Sequence, residues 1–357
     1  MKIKPKNPKA VLLQVVVLFL VSFLVLTNCS NKKEKQQQTT VQNPEDTLFT
    51  NNPDKFPPIV YSDKFKKSFG VDPVENEIIK AGKLGVKTRK LYTTSFKSDG
   101  TVLTRDKLYE EIEFDKNGRR VKHHLYVGVG ANPKTWIYKY DSKGNQIYKE
   151  VVDSHNNLLA SQKSKYDNDG REIESLYFDV HKPANQIIKY FYDVNGNNVK
   201  SILLTQKGDT LYKEISVFNS GVMISSKYLN SDGDSLQTIE RTYNQATNTF
   251  KEVTVTGKVK KTVYYKFDPK GRLIEIKGDT YKREYQYNDA GDVITDQLLG
   301  PENELQYEMK YSYLPNGLMS ESIRYDSKNR PILKSVYVYE YYNNNASLAQ
   351  KAGQNKQ

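Results

Sequence analysis

The chain has 357 residues, with 54 Lys and Arg against 42 Asp and Glu, and a single cysteine, which excludes an internal disulfide framework. The formal charge of +12 falls to +6 over residues 61–342 once both ends are set aside. That is a solubility feature and lacks the clustered basic residues of a nucleic-acid surface. A mean hydropathy of −0.72 with 37% hydrophobic residues is too low for a thick two-layer core throughout.

In chain order the first element is a targeting segment. Lys2, Lys4, Lys6 and Lys9 precede an apolar run from Ala10 to Leu26, broken only by Gln14 and Ser22, and Leu26-Thr27-Asn28-Cys29 follows. This is a secretory signal pattern over residues 1–28. Residues 29–60 are Gln, Asn, Thr, Lys and Pro with few large apolar groups. Such a stretch cannot offset its ordering entropy and reads as a flexible tether. Residues 343–357 read as a disordered tail, which leaves 61–342 as the folded domain. Its first element is a short helix, with Asp72 as N-cap, Pro73 at the first helical position, Glu75 in the first turn and Gly82 at the end. The helix is expected to cap one end of the array that follows.

One motif then recurs: an aromatic, Asp or Asn, two further residues and Gly. It appears as Phe114-Asp115 with Gly118, Tyr140-Asp141 with Gly144, Tyr166-Asp167 with Gly170 and Tyr192-Asp193 with Gly196. Later copies are Phe267-Asp268 with Gly271 and Tyr287-Asn288 with Gly291. The anchors 114, 140, 166, 192 and 218 are each 26 residues apart, and a fixed period marks a stacked array. The acidic residue turns the chain by bonding its own backbone and the Gly supplies a positive φ, so each motif is a tight turn between two strands. A looser turn lies halfway between motifs, as at Ser98-Asp99-Gly100 and Lys207-Gly208-Asp209. The predicted fold is all-β. About eighteen strands run from 86 to 342 as a long antiparallel meander of tandem hairpins, forming an elongated, twisted sheet closed on itself only in part. Val336 to Tyr342 is the last strand, at an edge. A four-residue loop would pair Tyr138 with Ile147 and Tyr265 with Ile274. The residue just before each anchor is mostly polar (Lys139, Lys165, Lys266, Gln286) and points to the other face. One face is therefore aromatic and aliphatic, and the other is wetter.

Two stretches resemble known families. Leu26 to Cys29 resembles the lipobox of bacterial lipoproteins, which implies a mature protein that starts at a lipidated Cys29. Several acyl chains together give stable anchoring, and Ser30 after the cysteine implies the outer membrane, on its periplasmic face or at the cell surface. Phe267-Asp268-Pro269-Lys270-Gly271-Arg272-Leu273-Ile274, then Gly278, then Tyr285-Gln286-Tyr287-Asn288-Asp289-Ala290-Gly291 closely resembles the YD repeat of Rhs proteins. The resemblance runs from 96 to about 332 and implies a β-strand array that acts as a scaffold or binding surface.

Residues able to carry chemistry are few. Asp167-Asn168-Asp169-Gly170 opens like a calcium loop, but the twelfth position is Phe178 where that loop needs Glu, so the turn reading holds. His123 and His124 are strand neighbours facing opposite sides, and His155 and His181 lie in separate turns. No metal or cofactor is implied. No Ser or Cys has a nucleophile context, and no carboxylate pair stands out for acid–base work. The stripe of Tyr138, Tyr190, Tyr265, Tyr285 and Tyr311 is the candidate ligand platform, set against plain cross-strand packing. The expectation is a non-catalytic, lipid-anchored envelope protein whose sheet meets a partner protein or a glycan. The alternatives are an accessory subunit pairing through an edge at Tyr337 to Tyr342, and a polysaccharide-processing enzyme.

Overall fold

The computed structural model describes residues 72–342 apart from 127–131, 182–184 and 220. The signal segment 1–28, the lipidation position Cys29 with the tether, and the tail 343–357 lie outside the described residues. Helix α1 (Pro73–Lys83) starts where predicted, with Asp72 Oδ1 accepting the N–H groups of Val74 at 2.9 Å and Glu75 at 3.0 Å. Ile78, Ala81 and Gly82 form its buried side.

Twenty strands follow. The first ten are β1 (Val86–Phe96), β2 (Val102–Phe114), β3 (Arg120–Leu125), β4 (Lys134–Tyr140), β5 (Gln146–Asp153), β6 (Leu158–Tyr166), β7 (Glu172–Asp179), β8 (Gln186–Tyr192), β9 (Asn198–Thr205) and β10 (Thr210–Asn219). The second ten are β11 (Val222–Asn230), β12 (Ser235–Asn244), β13 (Thr249–Thr256), β14 (Val259–Phe267), β15 (Leu273–Lys277), β16 (Lys282–Tyr287), β17 (Val293–Leu299), β18 (Leu305–Tyr313), β19 (Met319–Asp326) and β20 (Pro331–Tyr341).

Each strand pairs antiparallel with the next, and β1 pairs with β20 as well as with β2. The meander is therefore a closed twenty-stranded barrel. This corrects the expectation of a partly closed sheet. The row of unpaired N–H and C=O groups that an open β1 and β20 would each present is satisfied by the other strand. Val336 to Tyr341 is not a free edge either, since it pairs with β1 along its length and Val336 also pairs with Glu321.

The repeat motif makes a loop one residue longer than predicted, with residues 141–145 lying between the paired Tyr140 and Gln146. Asp141 N–H donates to Asn145 O at 2.9 Å and Gly144 N–H to Asp141 O at 3.1 Å, with Gly144 at φ 93°. The side chain clasps the same turn: Asp141 Oδ1 accepts the Asn145 N–H at 2.8 Å and Oδ2 accepts the Asn145 side-chain amide at 2.9 Å. Arg119, Arg171, Asn197, Arg272 and Arg330 repeat this clasp on Asp115, Asp167, Asp193, Asp268 and Asp326. A β-bulge follows. Lys139 faces Tyr148 and Tyr140 faces Gln146, which leaves Ile147 without a partner. Tyr138 therefore pairs with Lys149, and Tyr265 pairs with Ile276. The predicted partners Ile147 and Ile274 are the bulged residues, so the expected register is off by two.

The anchor tyrosines tie one hairpin to the one before it. Tyr140, Tyr166, Tyr192 and Tyr287 donate their hydroxyls to the carbonyls of Arg120, Gln146, Glu172 and Leu273. At the closure Tyr342 does the same to Phe114. The turn arginine adds a second tie, with Arg119, Arg171 and Arg272 stacked 4.8, 5.3 and 4.7 Å from the rings of Tyr140, Tyr192 and Tyr287.

The two faces differ as expected. Tyr138, Ser175, Ser226, Tyr285, Asp296 and Tyr337 are buried and point into the barrel. Lys139, Lys165 and Lys266 point outward and are exposed, as are Phe191 (43%) and Val217 (50%). Lys189, Lys200, Lys213, Lys227, Lys251 and Lys277 share that outer face by register.

Candidate functional site

The densest cluster of charge lies where the ring closes under α1. Arg89 on β1 is completely buried. Its Nε lies 2.6 Å from Glu77 Oε2 of the helix, and its Nη1 donates to Glu110 Oε2 on β2. Glu110 Oε1 in turn sits 2.7 Å from His123 Nε2 on β3. The Tyr339 hydroxyl on β20 reaches Glu77 Oε1 at 2.6 Å. Aromatic rings close the sides: Tyr337 lies 4.8 Å below the Arg89 guanidinium, and Trp136 stacks on His123 at 4.9 Å.

The two carboxylates have different electrostatics. Burial raises the Glu77 carboxyl, against the pull of Arg89 and Tyr339. Burial also opposes charge on Glu110, but the Arg89 guanidinium and the His123 contact hold it at about 2. A buried cation between two carboxylates is costly to break, because removing it strands both charges. The arrangement acts as a latch: it fixes the helix to strands β1, β2 and β20. Gly82 supports the same contact. A Cβ there would fall 2.1 Å from the Gly118 carbonyl, so helix and first turn touch backbone to backbone. At the C-terminal end Lys80 donates to Gly317 O at 2.9 Å and Asp292 Oδ1 at 3.1 Å.

The predicted platform does not form an exposed stripe. Tyr138, Tyr285 and Tyr311 are buried on the inner face, and Tyr190 and Tyr265 are partly buried on it. Tyr285 and Tyr311 flank the salt bridge in which Arg283 holds Asp296 with two bonds, at 2.7 and 2.5 Å. Burial pushes both hydroxyls well above the ordinary tyrosine range. Tyr138 stands apart, with Arg120 at 4.9 Å and Lys149 at 5.7 Å from its ring. The turn residues lie spread around one rim and converge on no common point. His124 bonds Thr135 at 2.7 Å on the side opposite His123. Among the described residues, no group of three or more His, Cys, Asp or Glu is placed to hold a metal ion.

Glu77, Arg89 and Glu110 were not singled out from the sequence. The usable signal was Arg89 itself, a charged residue in phase with Leu91 on the inward side of β1.

No protein-family model and no curated protein matches the chain. Among solved structures, a porin-like protein from Bacteroides uniformis is 10% identical, with a TM-score of 0.34 over 71% of this chain and 96% of that one. A porin-like protein from Bacteroides vulgatus is 9% identical, with a TM-score of 0.24 over 72% of this chain and 99% of that one. The TcdB2-TccC3-Cdc42 structure is 11% identical, with a TM-score of 0.27 over 66% of this chain and only 16% of that one. These scores are too low to bear on what the protein does.

Proposed function

We propose that the chain is a non-catalytic, lipid-anchored protein of the YD-repeat type. It is held at the outer membrane through Cys29 and presents the outer surface of its barrel to a partner protein or glycan. The observation that carries this reading is the chemistry of the two faces. A barrel that spans a membrane shows lipid an apolar band about 25 Å tall and keeps its polar groups inside. This barrel departs from that pattern on its outside. Most of its buried aromatic residues face inward, and lysines and glutamates stud the outside of successive strands. Lysine facing lipid at the bilayer midplane costs about 2–4 kcal/mol. A row of lysines on neighbouring strands therefore favours a water-facing barrel joined to the membrane only by its anchor. The YD-repeat assignment draws support from the clasp and the tyrosine tie, which give each signature residue a structural task. The absence of catalysis is supported by the placement of the acids, since the turn carboxylates are engaged in clasps.

A chain that starts at Ser30, without signal and cysteine, tests the reading. It should be monomeric and β-rich in buffer without detergent, while the wild-type protein takes up labelled palmitate and fractionates with membranes. A Ser30 chain that needs detergent to stay in solution would contradict it.

A further inference from the structure

The repeat predicts what each position should hold, so departures from it stand out. Eight residues after the anchor, on the outer face, the units carry Lys122, Glu174, Lys200, Glu275, Thr295 and Glu321. The unit anchored at Tyr140 alone carries an aromatic there, Tyr148. Its neighbours in register are Lys139 on β4 and Lys163 on β6. Both lysines and Tyr148 line a shallow, open depression of about 410 Å³ on the outer face, together with Glu150 and the bulged Ile147. Lys139 Nζ lies 5.1 Å from the Tyr148 ring centre, and the Tyr148 hydroxyl donates to Glu150 Oε2 at 2.8 Å. Neither Lys139 nor Lys163 makes an ion pair among the described residues. Ile147 is exposed even though it is aliphatic, and β-bulges often re-aim side chains at binding sites.

We infer that this depression is a binding site for a carboxylated pyranose, the repeating unit of a uronic-acid polysaccharide. The inference rests on the reading of the outer face as a binding surface and names its ligand class. Each group has a task there. The Tyr148 ring and Ile147 supply an apolar plate for the C–H face of a sugar. The two ammonium groups stand on the strands either side, each strand about 5 Å from that of the plate, and bracket it to receive the carboxylate from one side or the other. Glu150 accepts the Tyr148 hydroxyl through one oxygen and keeps acceptor capacity for a sugar hydroxyl. Two cations against one anion leave a net positive site, which selects an acidic sugar over a neutral one. The position is not needed by the fold, since the other units do without an aromatic there.

The test uses the full-length protein in detergent with polygalacturonate as the probe and its fully methyl-esterified form as the neutral control. Polygalacturonate should bind, and the ester at least ten-fold more weakly. Lys163→Glu and Tyr148→Ala should each weaken binding at least five-fold with unchanged melting temperature. Lys251→Glu, an equal charge change on a distant outer strand, should leave binding within two-fold of wild type. Equal binding of acid and ester, or an equal loss in the Lys251 and Lys163 variants, would overturn the site. So would an absence of binding by the wild-type protein. None of these results touches the lipid anchor or the detergent-free solubility of the Ser30 chain, so failure here is distinct from failure of the broader reading.

Discussion

The seam of the barrel and the arc formed by β6 to β11 are built on different principles. In the arc the inner face sets pairs of serines among buried and half-buried tyrosines such as Tyr190, Tyr212 and Tyr228. Ser164 pairs with Ser175 and Ser216 with Ser226. Gln162 bridges the first pair at 3.1 and 3.2 Å, and Ser226 donates to Glu214 at 2.9 Å. Its contacts run between adjacent hairpins, and its turns are clasped over four residues. At the seam a buried guanidinium lies between two carboxylates, and the contacts join distant parts of the chain, with Glu77 to Tyr339 spanning 262 positions. The arc can form unit by unit, as repeat arrays do. The seam forms only when both ends of the array have arrived. The barrel is thus an array closed by one long-range lock, and the lock should be its most sensitive part.

The largest effect is expected at Arg89. Arg89→Met strands Glu77 and Glu110 in a buried site and should cost about 3–5 kcal/mol in urea denaturation. A loss no greater than that of an arc variant such as Ser226→Ala would erase the distinction between the two regions. Next comes Gly82→Ala, whose methyl group meets the Gly118 carbonyl. It should cost about 1–3 kcal/mol by forcing the helix off the first turn, read as a lower melting temperature.

The two seam carboxylates sharpen the comparison through pH. Glu110 is depressed to about 2 from an ordinary 4.5. Its stabilisation is therefore present above pH 4.5 and is lost as pH falls toward about 2. Glu77 is raised, so its titration has the opposite sign: its contribution is full below pH 4.5 and declines as pH rises. Glu110→Gln should therefore destabilise more than Glu77→Gln at pH 7, and the gap should shrink toward pH 2. Equal losses at both pH values would show that the charges do not carry the seam. The smallest effect belongs to a single turn. Asp268→Ala removes the Arg272 clasp and should lower the melting temperature by about 2 °C, since the neighbouring hairpins keep their own clasps.

What the sequence revealed follows the same division. The tight turns, the helix cap and the two-faced sheet rest on interactions within a few residues, so Asp72, Asp141 and Gly144 could be read directly. The register could not, because the αL glycine permits both a four-residue loop and the longer loop with a bulge, and only the pairing of Tyr148 with Lys139 decides between them. Closure was illegible for a different reason. Nothing local in Arg89 or Tyr339 states that the strands carrying them are neighbours, and a repeat of fixed period fits an open coil as well as a ring. The platform failed for want of the same information, since an inner face is a binding surface in an open sheet and a packed interior in a closed one.

Closure is also what can be tested most directly. Lys90 and Val338 face each other across β1 and β20. In the Ser30 chain, which has no other cysteine, the double variant Lys90→Cys, Val338→Cys should form an intramolecular disulfide in nearly every folded molecule while keeping the wild-type melting temperature or raising it. Two thiols that stay free to alkylation in the folded protein would mean that the ring is open, and the account of the seam would fall with it.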